Sequence, residues 1–138
     1  MADKVPFELV TPTRLLATEN VDMVVVPGGD GDFGVLPGHS PLLSTVRPGT
    51  VDLHDGGKVT ARYFVAGGFA EVTPERCTLL AEEAAPLSEL TRADADSRLA
   101  EAHKLGEAAK TDGEKQDAAA ALAAAEAMLA AVQAHASN

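Results

Sequence analysis

The distribution of proline and glycine divides the chain near Pro86 into two parts that favour different secondary structures. All eight prolines and ten of the twelve glycines lie in residues 1–86. Residues 87–138 contain no proline, only Gly106 and Gly113 as glycines, and many alanines. Because proline is excluded from helix interiors and alanine is the best helix former, this change marks a domain boundary. We therefore predict a β domain over 1–86 and a helical segment over 87–138.

Short apolar runs alternate with turn residues throughout the first part. The runs at 51–54 and 59–65 flank Asp55, Gly56 and Gly57, where glycine tolerates the positive φ that a tight hairpin turn requires. Many short strands at this spacing predict an antiparallel β-sandwich, or flattened barrel, of about eight to ten strands.

The second part is predicted to form an antiparallel two-helix hairpin, so the fold class is α+β. Ser88 and Thr91 are candidate N-caps of the first helix, and Asp94 stands in the capping-box position relative to Thr91. The residues at 111–113 break the pattern, and a second helix is expected from near Glu114. Two helices joined by a short loop normally pack antiparallel.

Small apolar residues recur at helical spacing in both predicted helices. From 118 to 136, twelve of nineteen residues are alanine. Spacings of three and four residues define one apolar seam on each helix. The seams comprise Ala95, Leu99, Ala102, Leu105 and Ala109 in the first helix and Ala118, Leu122, Ala125, Leu129, Val132 and Ala136 in the second. Since alanine is small, the helices should approach closely.

The net charge excludes several classes of partner. The formal charge is −10, whereas nucleic acids and anionic lipids are bound by Lys and Arg, so neither is an expected partner. The first residues contain no apolar segment of a secretory signal. No apolar stretch is expected to reach the ~18 residues that a membrane span needs. Membrane association is therefore expected only through another protein.

A glycine pattern matches a nucleotide-binding motif without its structural context. Gly29, Gly31 and Gly34 have the spacing of the dinucleotide fingerprint. That fingerprint works because a helix begins at its last glycine and offers its N-terminus to a pyrophosphate. Here Pro37 and Gly38 follow within four residues, so no long helix can begin there. We do not expect dinucleotide binding.

Other possible sites are equally incomplete. His39 stands beside Ser40, but the strand-turn-helix context of a nucleophile elbow is missing. Asp30 and Asp32 could suggest calcium, yet a loop with the further ligands of an EF-hand does not follow. Cys77 is the only cysteine, which excludes an intramolecular disulfide, and its apolar neighbours predict burial. We expect no catalytic residue, cofactor or metal, and composition alone indicates a binding module.

Two sequence blocks carry a family resemblance. Residues 31–43 read GDFGVLPGHSPLL and are followed by Arg-Pro-Gly at 47–49, and residues 65–72 read VAGGFAEV. The first block resembles the signature of the ATP synthase epsilon subunit family, G-[DE]-x-G-[IV]-x-P-G-H-x-P-L-[LV] with a later [RK]-P-G. The similarity covers about residues 5–86, and the helical tail matches the family in length and kind.

The resemblance implies a non-catalytic rotor subunit. In that family the sandwich lies in the central stalk of F-type ATP synthase, between the gamma subunit and the ring of c subunits, and it helps to couple proton translocation to ATP synthesis. The signature loop faces the polar loops of the c-ring, which implies that Gly31, Asp32, Phe33 and His39 bind this partner. The alternative is that these residues form only a solvated turn and that His39 merely shapes the loop.

The helical part departs from the ATP-binding motif that some relatives carry at the first helix, [IL]-D-x-x-R-A. Leu90 begins the corresponding segment, but Thr91 replaces the aspartate and Asp94 replaces the arginine. Arg92 and Arg98 remain as a degenerate version of the motif. An anion in place of a cation disfavours a triphosphate, so we expect no ATP site.

The resemblance also implies that the hairpin can contact the catalytic alpha and beta subunits and restrain ATP hydrolysis. In relatives, basic residues of the last helix support this contact. Here no Lys or Arg follows Lys115, and the last helix carries only Asp117 and Glu126 as full charges. We therefore expect weak regulation.

Two functions are left open by the residues. The first is the rotor subunit, peripheral to the cytoplasmic face of a bacterial inner membrane. The second is an independent β-sandwich adaptor or small-ligand-binding module with a dimerising helical hairpin. The rotor subunit must bind gamma, whereas the independent module need not.

Overall fold

The computed structural model describes residues 3–136, and side chains as far as residue 135. The chain forms two compact units that divide between Pro86 and Leu87. The first consists of ten strands: β1 (Val5–Thr11), β2 (Arg14–Val21), β3 (Met23–Gly28), β4 (Gly31–Val35), β5 (Leu42–Val46), β6 (Gly49–Asp55), β7 (Lys58–Val65), β8 (Gly68–Thr73), β9 (Arg76–Ala81) and β10 (Ala84–Pro86). The second comprises a 3-10 turn at Leu87–Glu89, α1 (Arg92–Ala108) and α2 (Asp112–Ala136). The predicted fold class is confirmed.

The strands form one hydrogen-bonded sheet that folds into a sandwich. Its order is β10-β7-β6-β3-β5-β8-β9-β1-β2, and β4 pairs with β3 beside this path. Every pair is antiparallel except β1 with β9, which run parallel. A parallel pair needs a long connection, and the seven intervening strands supply it. The sequence did not predict this pair.

Alternate residues of the strands fill the interior. Phe7, Leu9, Val24, Leu53 and Leu79 have no exposed surface. Burying such side chains stabilises a fold by about 25 cal/mol for each Å² of apolar surface removed from water.

Cys77 belongs to the same core, as predicted, and it is fully buried. Burial raises the pKa of its thiol to about 12, because a thiolate loses its hydration in an apolar interior. The thiol therefore stays protonated and unreactive at neutral pH.

The predicted β6–β7 hairpin is present. Its turn is made by Gly56 and Gly57, whose φ angles are 64° and 80°. Glycine adopts two successive positive φ angles most readily, so the turn residues determine where the two strands reverse. The Asp22 carboxylate accepts a hydrogen bond from the Gly56 amide at 2.9 Å and ties the turn to the start of β3.

Both helices begin with a capping box. Thr91 Oγ1 accepts from the Asp94 amide at 3.1 Å, and the Asp94 carboxylate accepts from the Thr91 amide at 2.9 Å. This confirms Thr91 as the N-cap, whereas Ser88 lies in the preceding 3-10 turn. Thr111 and Glu114 exchange the same two bonds at 3.0 Å each. Because Thr111 acts as the cap, α2 begins at Asp112, two residues before the predicted start.

The helices pack against each other, but the predicted seam of α1 is only partly correct, since Ala109 follows the end of the helix as its C-cap and Leu105 does not face α2. Ala95 and Ala102 are buried in α1, whereas Leu105 is 54% exposed. Counting from Ala102, the helical period brings Gly106 rather than Leu105 to the facing side. Gly106 has no side chain, so a groove of about 370 Å³ opens there opposite Leu122.

The seam of α2 agrees better with the prediction. Ala118, Ala125 and Val132 are buried, and Leu122 and Leu129 are half-buried, while the side chain of Ala136 lies outside the described residues. A second set of residues in this helix is also buried: Ala124, Met128 and Ala131. The buried arc of α2 is therefore wider than the predicted seam.

One expectation about membrane spans requires correction. Within the described residues, the α2 segment Asp112–His135 is long and apolar enough to cross a bilayer by length and composition. Much of its hydropathy comes from alanine, and 28% of the apolar window is buried inside the protein. The segment was missed because Glu126 interrupts its apolar run.

Candidate functional site

The predicted partner-binding segment forms the end of the β3–β4 hairpin. We call residues 28–33 the hairpin tip. Gly28 and Gly31 are the last paired residues, and Gly29 and Asp30 make the turn. Gly31 has a φ of 138°, which favours glycine. The tip is therefore a short, glycine-rich turn with the paired residues next to it.

The three predicted residues in the tip have different environments. Gly31 and Asp32 are exposed, whereas Phe33 is half-buried and packs against the core. The Phe33 ring also covers Gly28, because a Cβ atom added to Gly28 would lie 2.9 Å from it. Phe33 thus anchors the tip, while Gly31 and Asp32 face outward.

Backbone hydrogen bonds fix the tip to the end of β5. The Gly29 amide donates to Thr45 O at 2.9 Å, and the Arg47 amide donates to Pro27 O at 2.9 Å. A Cβ atom added to Gly29 would lie 2.3 Å from Thr45 Oγ1, so a side chain at this position would force the Thr45 hydroxyl to move. Residues at the end of β5 therefore hold the tip by hydrogen bonds on one side.

The Arg47 guanidinium adds a second attachment, which we call the Arg47 bridge. Nη1 donates to Gly28 O at 2.6 Å, and Nη2 donates to Asp32 Oδ1 at 2.5 Å. The side chains of Arg47 and Asp32 are 44% and 61% exposed. Exposure weakens the ion pair, but the bridge joins both strands of the hairpin to one cation.

Asp30 differs from Asp32. Its side chain lies in the turn and is exposed, and it makes no hydrogen bond or ion pair within residues 3–136. It is therefore the carboxylate of the tip whose charge is not compensated inside this part of the chain.

A third acid, Asp52, lies behind the tip on β6. Desolvation by burial raises the pKa of its carboxyl group, and the negative charge of Asp32 adds to the rise. The positive charge of Arg62 lowers the same pKa. Arg62 pairs with Asp52 across β6 and β7, and its Nε atom lies 3.5 Å from Asp52 Oδ1. Asp52 is half-buried in the sheet and does not belong to the exposed tip.

His39 does not join the other predicted residues. It lies in the β4–β5 loop, where the amide of the neighbouring Gly38 donates to Pro74 O at 3.3 Å in the β8–β9 turn. The tip contacts the other end of β5, roughly 13 Å away for a strand of five residues. The ring Nδ1–H of His39 donates to Ser40 O at 2.7 Å, so this side chain shapes its own loop.

The two arginines of the degenerate ATP motif point in different directions. Arg92 and Arg98 are six residues apart on α1, which places them about 120° apart around the helix. Arg92 Nε lies 3.8 Å from Asp96 Oδ2 in the next turn. The structure does not bring the two cations together.

A row of apolar side chains lies exposed on the outer face of the sheet. Phe69 on β8 stands opposite Leu80 on β9, Leu80 opposite Val10 on β1, and Val10 opposite Leu15 on β2. We call these four residues the apolar row. Phe69, Leu80 and Leu15 are 52%, 51% and 55% exposed. Exposed apolar patches mark protein interaction sites.

The apolar row borders a shallow cavity of about 310 Å³. The cavity is lined by Val10, Pro12, Gly68, Phe69 and Leu80, among others. Gly68 allows the backbones of β8 and β9 to lie close together, because a Cβ atom added to it would lie only 2.0 Å from Leu80 O. The row and cavity together offer a concave apolar surface that a partner side chain can fill.

Sequence reasoning missed the apolar row, although a signal was present. Strands with one solvated face alternate apolar and polar residues. Leu79-Leu80 and Leu15-Leu16 break this alternation. In each pair one leucine faces outward. Two consecutive leucines in a strand with one solvated face therefore indicate an outer face that a partner protein covers.

The chain is similar to known proteins over nearly its whole length. The family model described as the β-sandwich domain of the ATP synthase delta/epsilon chain matches residues 4–87. The ATP synthase epsilon chain of Paramagnetospirillum magneticum is 55% identical over 132 residues, covering 96% of this chain and 99% of that protein.

Two solved structures have a similar fold. A chain in the Euglena gracilis mitochondrial ATP synthase, OSCP/F1/c-ring, matches with a TM-score of 0.77 and 25% identity, covering 94% of this chain and 81% of that one. A chain in the Tetrahymena thermophila mitochondrial ATP synthase central stalk and c-ring matches with a TM-score of 0.66 and 14% identity, covering 94% and 97%. The second likeness shows the fold alone.

Proposed function

The chain belongs to the ATP synthase delta/epsilon chain family, and from this we propose how its surfaces serve the rotor of an F-type ATP synthase. It is a non-catalytic subunit of the central stalk, whose partners are the gamma subunit and the c-ring. In our proposal the hairpin tip, which includes Gly31, Asp32 and Phe33, meets the c-ring loops, and the apolar row meets gamma.

The proposal depends on the position of these two surfaces in one sheet. Thr45 lies between them: its carbonyl accepts from the Gly29 amide in the tip, and it stands opposite Phe69 in the apolar row. A polar surface and an apolar surface therefore share one end of the sandwich. This arrangement suits a subunit that must contact two different partners at the same time.

Calorimetry with the gamma subunit from the same source tests the apolar row. We expect a 1:1 complex of micromolar or tighter affinity. Leu80→Gln should weaken it about tenfold, because the variant loses apolar burial worth roughly 1.4 kcal/mol. Leu105→Gln is the matched control, since Leu105 is equally exposed but lies on α1.

Two different binding results would contradict the rotor proposal and the assignment of the apolar row. If the folded wild-type chain does not bind gamma, the rotor proposal is wrong and the independent binding module replaces it. If Leu80→Gln binds gamma as tightly as the wild type and Leu105→Gln do, gamma binds elsewhere.

As part of a membrane-associated ATP synthase, the chain associates peripherally with a membrane through its partners. We propose that it lies on the cytoplasmic face of a bacterial inner membrane, since the relative from P. magneticum is bacterial. In inverted vesicles an antibody should reach the chain without detergent. Access only in right-side-out vesicles would place it on the other face.

A further inference from the structure

The hairpin tip contains two acidic side chains with different electrostatic surroundings. Asp32 is bound to the Arg47 guanidinium at 2.5 Å, so its charge is compensated by a neighbouring cation. Asp30, two residues earlier in the turn, has no such counterion within residues 3–136. A basic group that approaches the tip therefore meets a neutral pair at Asp32 and a net anion at Asp30.

The Arg47 bridge also has a mechanical effect. Arg47 follows β5, and its amide bonds to Pro27 O while its guanidinium bonds to Gly28 O and Asp32. One residue thus fastens both strands of the hairpin next to the turn. Charge-assisted bonds to a carbonyl and a carboxylate are stronger than neutral ones, so they restrict opening of the hairpin.

We propose that Arg47 is the positioning residue of the hairpin tip, and that Asp30 rather than Asp32 is the carboxylate that binds a basic side chain in the c-ring loops. Asp32 serves as the internal partner of Arg47. The inference rests on the proposed function, because it assumes that the tip faces the c-ring.

The first experiment measures amide hydrogen exchange in the isolated full-length chain. Asp32→Asn and Arg47→Gln each remove the ion pair, so the β3–β4 amides, including that of Gly29, should exchange about fivefold faster. Asp30→Asn is the matched control with the same chemical change, and it should leave these rates unaltered. Equal rates in all variants would overturn the positioning role of Arg47.

The second experiment measures affinity for a purified complex of gamma and the c-ring at several salt concentrations. Asp30→Asn should lower the affinity about fivefold at low salt and remove most of the salt dependence. The double variant Asp32→Asn with Arg47→Gln removes one charge of each sign, so the net charge of the tip is unchanged. It should keep the wild-type salt dependence even though the looser tip binds less tightly.

The opposite pattern overturns the inference: salt dependence lost in the double variant and retained in Asp30→Asn assigns the contact to Asp32. Failure of the proposed function gives a different result. If the wild-type chain binds gamma alone and gamma with the c-ring equally well, the tip does not face the c-ring and the Asp30 contact is wrong. The role of Arg47 is then still decided by hydrogen exchange.

Discussion

Single residues determine where the chain can bend and where two segments can approach. Gly68 combines a φ of 133° with the close approach of Leu80 O. Any side chain at this position would strain the backbone and push β9 away from β8. Gly29 allows a close approach of a different kind, because a Cβ atom added there would meet the Thr45 hydroxyl. These contacts shape the two proposed binding surfaces.

Glu114 provides a residue-level test through its pKa. Its carboxylate accepts hydrogen bonds from the amides of Thr111 and Lys110, and these bonds lower the pKa of the group. A lowered pKa in the folded state stabilises the fold above the unfolded pKa of about 4.3, and this stabilisation is lost as the pH falls through the folded value. We therefore expect Glu114→Ala to lower the melting temperature at pH 7 and to have a smaller effect at pH 3.

Thermal unfolding followed by circular dichroism at the two pH values measures this difference. Glu107→Ala is the control, because Glu107 is an exposed glutamate near the end of α1. A loss of melting temperature in Glu114→Ala that is as large at pH 3 as at pH 7 would contradict the charge-based account of this cap.

Among the elements, those with a local signal were predictable from the sequence. The β6–β7 hairpin followed from its two turn glycines, and the start of α1 from Thr91 and Asp94. The exact facing side of α1 was not, because apolar spacing places Leu105 in the seam, whereas this side chain is exposed in the structure. Packing of two close helices favours the smaller residue.

The small number of charged residues on α2 predicts that the chain inhibits ATP hydrolysis only weakly. In the described part of the helix after Lys115, the full charges are those of Asp117 and Glu126. We expect the chain to inhibit ATP hydrolysis by its reconstituted enzyme less than about twofold, because this part of the helix has no Lys or Arg with which to dock electrostatically. Ala130→Lys with Ala134→Lys, at two exposed positions, should strengthen the inhibition.

ATPase rates with and without the chain measure this effect. The double glutamate variant at positions 130 and 134 controls for side-chain length and should not inhibit. Strong inhibition by the unmodified chain would show that apolar contacts of the hairpin are sufficient.

In the whole molecule, contacts between distant segments limit what a sequence can reveal. The family signature located the hairpin tip, but not the bridge from Arg47 to Asp32, because side-chain partners fifteen residues apart carry no local pattern. The parallel pairing of β1 with β9 was hidden for the same reason. His39 lies within the signature, yet the length of β5 separates it from the tip.

The most direct test of the rotor function is to observe rotation. A bead attached through Lys58→Cys, at an exposed position of the β6–β7 hairpin, reports the motion of the chain in a surface-fixed enzyme. Cys77 does not compete for the label because it is fully buried and its pKa is raised to about 12, so the wild-type chain is the unlabelled control.

If the chain is part of the rotor, the bead turns during ATP hydrolysis in the same direction and steps as a bead attached to gamma. A bead that stays still while the gamma subunit of the same preparation rotates would contradict the assignment.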